Sequence, residues 1–187
     1  MMITQGSFCF WCDIVTPHWL YTLSELGGVL GVEVNVIAST LDQLDERRAV
    51  GWGTTEALPN LIIRQHSHSL EIEAIARGGG HLVANPFNNS AHRRLVRCLR
   101  RSNIHYGLQH SMPGLIAKPL GRLVRRMLYK RFFGRDLLSA EYILCHGEMT
   151  RSYLRNIGIP PEKLYAGEYF VPSGGEGGGR VVGHPVR

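Results

Sequence analysis

Short apolar runs alternate with amphipathic stretches along most of the chain, and this alternation constrains the fold more than any other feature. The apolar runs predict strands at 8–15, 32–38, 58–64, 81–84, 105–109, 141–145 and 163–171. The stretches between them predict helices at 18–30, 69–77, 90–103, 118–135 and 148–156. About seven strands that alternate with helices predict an α/β fold, with a doubly wound parallel sheet covered on both faces.

The composition suits one domain. With 187 residues, 44% of them hydrophobic and 19% charged, the chain is large enough for one globular core and too short for two full-sized ones. We expect this domain to span residues 1–172. Residues 173–187 hold six of the 22 glycines and no Leu, Ile or Phe, which predicts a flexible, Gly-rich tail.

Neither a membrane span nor a disulfide framework is expected. No apolar run reaches the roughly 18 residues of a spanning helix, and the start MMITQGSF lacks the basic and apolar regions of a signal peptide. Cys9 and Cys12 lie inside the predicted strand SFCFWCDIV, not at a helix N-terminus, and no second cysteine pair completes a zinc site. We therefore predict a cytoplasmic protein with core cysteines.

Positive charge is concentrated in the middle of the chain. Lys and Arg number 21 against 15 Asp and Glu, a net charge of +6, and residues 87–135 hold 12 basic and no acidic side chains. Such a block is typical of surfaces that bind phosphates of lipid headgroups, nucleic acids or sugar nucleotides. No RNP-like or helix-turn-helix pattern is present, so nucleic acid is not an expected partner.

The predicted helix at 118–135 is basic and amphipathic. Its apolar residues recur with helical spacing: Leu120, Leu123, Val124, Met127, Leu128 and Phe132. Its basic residues are expected on the opposite side: Arg122, Arg125, Arg126 and Lys130. Two alternatives carry equal weight. The helix could lie on an anionic membrane surface, or it could bury its stripe in the core and leave a solvated basic face.

Polar residues follow several of the predicted strands. In an open parallel sheet, ligands bind outside the carboxyl ends of the strands, so these residues are candidates for a site. They are Asp13, Thr16, His18, His66, His68, Asn85, Asn88, His110, Ser111, His146, Gly147 and Glu148. Imidazoles at strand ends suit ligands rich in hydroxyl or phosphate groups, although polar residues are also ordinary in surface loops.

Several chemistries lack their motifs. No glycine-rich phosphate loop follows a strand, which argues against a simple dehydrogenase or a P-loop NTPase, and no G-x-S-x-G elbow supports a serine nucleophile. His66, His68, Glu71 and Glu73 include metal-ligand types, but a turn and a helix start explain the same residues. We predict no cofactor and no metal.

The stretch AEYILCHGEMTRSYLRNIGIPPEKLYAGEYFV, residues 140–171, combines a strand, a Gly-Glu-x-x-Arg helix start and a G-I-P-x-E-K-L turn before a last strand. On these residues the chain resembles the N-terminal domain of the retaining GT-B glycosyltransferases of family 4, over roughly residues 6–172. Gln109-His110 at the end of the fifth strand and Thr16-Pro17-His18 in the first loop add to the resemblance.

The resemblance implies transfer of a sugar from a nucleotide-sugar donor to a glycan or lipid-linked acceptor, in cell-envelope polysaccharide synthesis, within a cleft between two Rossmann-like domains. It implies that His110 is a catalytic residue that contacts the transferred sugar, that loop 16–18 helps form the cleft, and that residues 148–151 line its floor. With the strand-end residues, the predicted cleft set is Asp13, Thr16, His18, Asn85, Ser111, Gly147, Glu148 and Arg151.

For a lipid-linked acceptor, the basic helix would hold the protein at the inner membrane face through Arg122, Arg125, Arg126 and Lys130. The family's second domain, with its E-x7-E motif and its grip on the donor diphosphate, has no counterpart in the sequence, and the first loop lacks the family's G-G pair. We therefore expect the acceptor-binding half of an enzyme, with residual catalysis alone. A truncated or frameshifted chain, a split enzyme whose donor domain is a separate chain, and a non-catalytic membrane-binding module remain alternatives.

Overall fold

All the strands in the described part of the chain run parallel in one sheet. The computed structural model describes residues 7–41, 58–111 and 119–167. Within these ranges the seven strands are β1 Phe8–Ile14, β2 Val34–Thr40, β3 Leu61–Gln65, β4 Gly80–Ala84, β5 Tyr106–His110, β6 Tyr142–Cys145 and β7 Leu164–Ala166. Their order across the sheet is β3-β2-β1-β4-β5-β6-β7, so the direction of winding reverses between β1 and β4.

Helices cover both faces of this sheet. Within the same ranges they are α1 Pro17–Leu30, α2 His68–Arg77, α3 Ser90–Arg101, α4 Pro119–Ser139 and α5 Gly147–Asn156, followed by a short 3-10 turn at Pro161–Lys163. Trp19, Leu20 and Leu23 of α1 pack in the core cluster on one face. Helices α2 to α5 contribute to the cluster on the other face. The predicted doubly wound, Rossmann-like α/β fold is therefore confirmed.

Strand β1 lies in the middle of the sheet and contributes to both clusters. Because successive side chains of a strand point to opposite faces, Cys9 and Trp11 face α2 to α5 while Phe10 and Cys12 face α1. Cys9 and Cys12 are buried and free, and burial raises the pKa of each thiol to about 12. Their predicted place in the core is confirmed.

Element ends follow local chemistry. Thr16 is the N-cap of α1 and Pro17 begins it, while the helix closes on Gly31 in the left-handed conformation, with φ of 64°. The last predicted strand is seen as far as Ala166, and its continuation to residue 171 lies outside the described residues. The predicted tail at 173–187 also lies outside them.

One predicted helix face needs correction. On α3 the buried residues are His92, Leu95, Val96 and Leu99. The side of α4 that packs inward carries Tyr129, Phe133 and Leu137. The described members of the predicted α4 stripe instead face outward, with exposed fractions of 49%, 65%, 48% and 61% for Val124, Met127, Leu128 and Phe132.

This orientation overturns the alternative in which α4 buries its stripe in the core. Residues three or four positions apart lie on the same face of a helix. Tyr129 and Phe133 occupy the face of α4 that packs inward, so the stripe lies on another face. Arg131 and Arg135 are exposed, and their spacing places them among the outward apolar residues. No helix in the described ranges is long and apolar enough to cross a membrane.

Candidate functional site

The carboxyl ends of the parallel strands form one edge of the sheet, and polar side chains lie along it. The described ones are Asp13, Thr16, Ser39, His66, Asn85, Ser111 and His146. The direction of winding reverses between β1 and β4, and in open α/β sheets ligands bind in the crevice that such a reversal creates at the carboxyl ends of the strands. The residues nearest that point are therefore the first to consider.

Asn89 connects three groups beside this crevice. It is the N-cap of α3, and its side-chain oxygen accepts a hydrogen bond of 2.8 Å from the backbone N–H of Ala91. Its Nδ2 donates to Oδ1 of Asp13 and, over 3.0 Å, to Oγ of Ser39. Because the cap fixes the orientation of the amide, Asn89 presents its NH₂ group to the ends of β1 and β2.

His92 lies one turn further along α3 and is fully buried. Burial lowers its pKa, so the ring is neutral near pH 7. Its Nδ1 lies 3.3 Å from the carbonyl oxygen of Ala84, which can only accept, so Nδ1 carries the proton. Nε2 then accepts from the hydroxyl of Ser39 over 3.4 Å. His92, Ser39, Asn89 and Asp13 thus form one connected network.

Glu71 on α2 is the centre of a second polar group. It is buried, and its carboxylate lies 2.8 Å from Nε2 of His66, 3.2 Å from Nδ1 of His68 and 3.4 Å from Nη2 of Arg94. Burial alone would raise the pKa of Glu71, but the hydrogen bonds from His66 and His68 and the nearby Arg94 lower it overall. The contacts of Glu71 with His66, His68 and Arg94 are explained by the start of α2 and need no ligand. Glu73 pairs with Arg77 at 3.6 Å.

His110 is far less open than its predicted contact with a sugar suggests. Only 4% of it is exposed, and the Tyr129 hydroxyl donates to its Nε2 over 2.6 Å. Burial, with a smaller contribution from His146, lowers the pKa of His110 to about 4, so the ring is neutral. Its Nδ1 has no hydrogen-bond partner among the described residues. This Nδ1 is itself buried, so neither ring nitrogen of His110 is open to a ligand in this arrangement.

Asn85 and Ser111 meet beyond β4 and β5. Asn85 adopts the left-handed conformation with φ of 42°, and its Oδ1 accepts from the Ser111 backbone N–H over 2.9 Å. Asn88 is exposed, and its N–H donates to the Asn85 carbonyl. The buried Gln109 keeps its Oε1 without a hydrogen-bond partner within the described ranges. The sequence correctly predicted that these residues share one edge.

The start of α5 brings the β6 end to the same edge. His146 is its N-cap, Gly147 has a φ of 75°, and the His146 ring makes an edge contact with Trp19 of α1 at 6.3 Å between centroids. Glu148 is exposed and lies 3.8 Å from Arg155. Arg151 is half-buried, and its Nε has no hydrogen-bond partner in the described part of the chain.

The structure describes the side chains of only some of the remaining predicted residues. Thr16 is half-buried, and its Oγ1 has no hydrogen-bond partner among the described residues. Arg126 is half-buried and Lys130 exposed on α4. The side chains of His18, Arg122 and Arg125 lie outside the described part of the structure. In residues 7–41, 58–111 and 119–167, no three His, Cys, Asp or Glu side chains are grouped as a metal ion would require.

Ser39, Asn89 and His92 are absent from the residues predicted by sequence. Ser39 is the penultimate residue of β2, and the candidates predicted at the strand ends include none from that strand. Asn89 precedes the predicted helix directly and is a common N-cap type, so its position was a usable signal. His92 offered none, because a histidine within a basic helix does not indicate burial.

Together, the fold and the edge define a Rossmann-like, doubly wound α/β domain whose polar network lies at the reversal of winding. A scan against protein-family models finds no matching family. A search of the curated proteins finds no match either.

Proposed function

We propose that the chain is the acceptor-binding half of a glycosyltransferase that moves a sugar from a nucleotide sugar to a glycan or lipid-linked acceptor. One observation carries the acceptor side of this proposal: Asp13, at the end of β1, keeps a half-exposed carboxylate that Asn89 holds in place. A carboxylate oxygen is a group that binds sugar hydroxyls. Asp13 has no Lys or Arg ion-pair partner among the described residues, so the crevice offers little to a diphosphate.

Residues at the neighbouring strand ends extend the same surface. Ser111 and Asn85 lie at the next two strand ends, and Glu148 and Arg151 lie at the start of α5. In this proposal they contact further parts of the acceptor, since a glycan is longer than one crevice. His110 lies beneath this edge, where it is buried and hydrogen-bonded to Tyr129.

A glycan array probed with the 187-residue chain tests this function. We expect binding to a subset of neutral glycans, with Ser111→Ala weakening it about threefold to tenfold, the usual value of one neutral hydrogen bond. Ser102→Ala is the matched control because Ser102 is exposed and lies at the end of α3, before β5 begins. An array on which no glycan is bound would overturn the proposal.

Membrane binding is a second candidate, and the exposure of the α4 stripe favours it. Val124, Met127, Leu128 and Phe132 are each about half exposed or more. The helix has no acidic residue before Asp136, and exposed Lys130, Arg131 and Arg135 lie on or beside the stripe. An apolar face with interspersed arginines matches an anionic bilayer, in which each basic residue near the surface contributes about 1 kcal/mol.

Vesicle co-sedimentation tests this candidate with phosphatidylglycerol–phosphatidylcholine and pure phosphatidylcholine vesicles. We expect the anionic vesicles to bind the chain, and Met127→Glu with Phe132→Glu to abolish binding. Val29→Glu is the control, because Val29 is 82% exposed on α1. If the double variant still binds, α4 is not the contact. If the wild type binds neither kind of vesicle, membrane binding is overturned. The exposed stripe is then the candidate contact for the separate donor-domain chain of a split enzyme.

A further inference from the structure

The carboxylate of Asp13 is held in a fixed position but is not neutralised. Its side chain is 42% exposed. Asn89 donates to Oδ1, and the nearest titratable group is Nδ1 of the neutral His92, at 3.7 Å. No Lys or Arg lies within ion-pair distance of Asp13 among the described residues, and no described residue donates to its Oδ2. One carboxylate oxygen of this half-exposed side chain is therefore left without a hydrogen-bond partner among the described residues.

A partly buried network holds the donor that orients this carboxylate. His92 accepts from Ser39, Ser39 accepts from Asn89, and the Ala84 carbonyl fixes the tautomer of His92. The network joins β1, β2, β4 and the first turn of α3, which are the elements on both sides of the crevice. Such preorganisation reduces the entropy lost when a ligand binds.

The chemistry of this group selects its ligand. An open carboxylate oxygen accepts from a hydroxyl group, whereas it repels a phosphate at the same place. We infer that Asp13, oriented by Asn89, Ser39 and His92, binds a hydroxyl of a neutral sugar or polyol. Any phosphate of the ligand then lies away from the crevice between β1 and β4. This inference rests on the proposed function and specifies which end of the acceptor enters.

Ser39 and His92 act as positioning residues in this arrangement. Neither needs to touch the ligand, because their effect passes through Asn89. Removing the Ser39 hydroxyl leaves the Asn89 amide with one partner fewer and less restricted. The conservative change to threonine keeps a hydroxyl at the same position.

The test is a ¹⁵N-NMR titration of the full chain with methyl glucoside, methyl mannoside and myo-inositol, and in parallel with glucose 1-phosphate and CaCl₂. We expect at least one neutral compound to shift resonances around Asp13 and Asn89 with millimolar affinity. Asp13→Asn should weaken that binding about tenfold, the usual value of a charge-assisted hydrogen bond. Ser39→Ala should weaken it by a smaller factor, and Ser39→Thr should restore it.

The outcomes separate this inference from the proposed function. If the glycan array is positive but Asp13→Asn leaves affinity unchanged, the inference fails and the function stands. Stronger binding of glucose 1-phosphate or Ca²⁺ than of every neutral compound at these resonances also overturns it. If neither the array nor the titration shows binding, both proposals fail. The ¹⁵N spectrum of each variant shows whether it is folded, which distinguishes a loss of binding from a loss of the fold.

Discussion

The rings of His110 and Tyr129 lie nearly parallel, 6° apart, and the Tyr129 hydroxyl donates to Nε2 of His110 over 2.6 Å. This contact joins the end of β5 to the middle of α4. Phe87 makes edge contacts with both rings, so the pair is enclosed by aromatic carbon.

Tyr129→Phe tests what this contact contributes. The change leaves Nε2 of the buried His110 without its donor, and we expect a loss of about 1–2 kcal/mol in the free energy of unfolding. Urea denaturation measures it. Tyr165→Phe is the control, since Tyr165 is 54% exposed, and equal losses in the two variants would contradict the expectation.

Stability should fall in mild acid. Burial lowers the pKa of both His81 and His110 from 6.5 to about 4. Between these values the unfolded chain binds more protons than the folded one, so stability is fully present above pH 6.5 and declines as the pH falls towards 4. Urea titrations at several pH values should show this slope. His110→Gln should reduce it.

Arg100→Ala should destabilise the contact between α3 and α4. Nε of Arg100 lies 2.8 Å from the buried Asp136 carboxylate, and removing the cation leaves that charge without its partner. We expect a loss of about 2 kcal/mol, measured by thermal or urea unfolding. Arg97→Ala removes an exposed arginine from the same helix and should change little. A similar loss in both variants would indicate a general effect of charge on α3.

Gly107→Ala should disturb the face of the sheet that packs against α1. A Cβ on Gly107 would lie 2.2 Å from the Tyr142 ring, which crosses over it from β6. We expect a loss of about 1–3 kcal/mol from overpacking. Combining it with Tyr142→Ala should cost less than the sum of the two single changes. Gly28→Ala, with its nearest neighbour at 3.6 Å, should be tolerated.

The chain alone should be a poor catalyst. In the proposed function it contributes acceptor contacts but not the groups that stabilise a leaving diphosphate. We expect turnover of any nucleotide sugar far below the roughly 1 s⁻¹ of ordinary enzymes. Release of nucleoside diphosphate, followed with a coupled assay, measures it, and a rate near that value would contradict the expectation.

The order and nature of the elements could be predicted because hydrophobic periodicity is a local signal. Strands β1 and β4 and helix α2 lie within one residue of their predicted bounds. Helix α4 was harder. Its stripe at Val124 and Met127 has perfect helical spacing. Tyr129 and Phe133 nevertheless form the buried face, because they pack against the aromatic rings of Phe87 and His110. Periodicity shows that a helix has an apolar face but not which neighbour faces it.

The strand-end rule located the edge of the sheet but not the contacts within it. It predicted Asp13 and Asn85, since a residue after an apolar run needs no knowledge of the rest of the chain. The partnership of Asp13 with Asn89 spans 76 positions, and that of Ser39 with His92 spans 53. Such pairs depend on strand order, which the sequence alone does not reveal. The pKa of His92 is also lowered by burial, which the sequence does not indicate.

The central position of β1 has a consequence for synthesis of the chain. Phe8 pairs with Gly80 and Trp11 with Val83, so the two strands in the middle of the sheet are about 70 residues apart in the sequence. Contacts between residues so far apart in the chain slow folding. On the ribosome, β1 can pair with β2 early, but the backbone N–H and C=O groups of its other edge stay unpaired until β4 has emerged. During that interval the nascent chain exposes an aggregation-prone strand edge, and a chaperone that binds apolar segments would be needed most there.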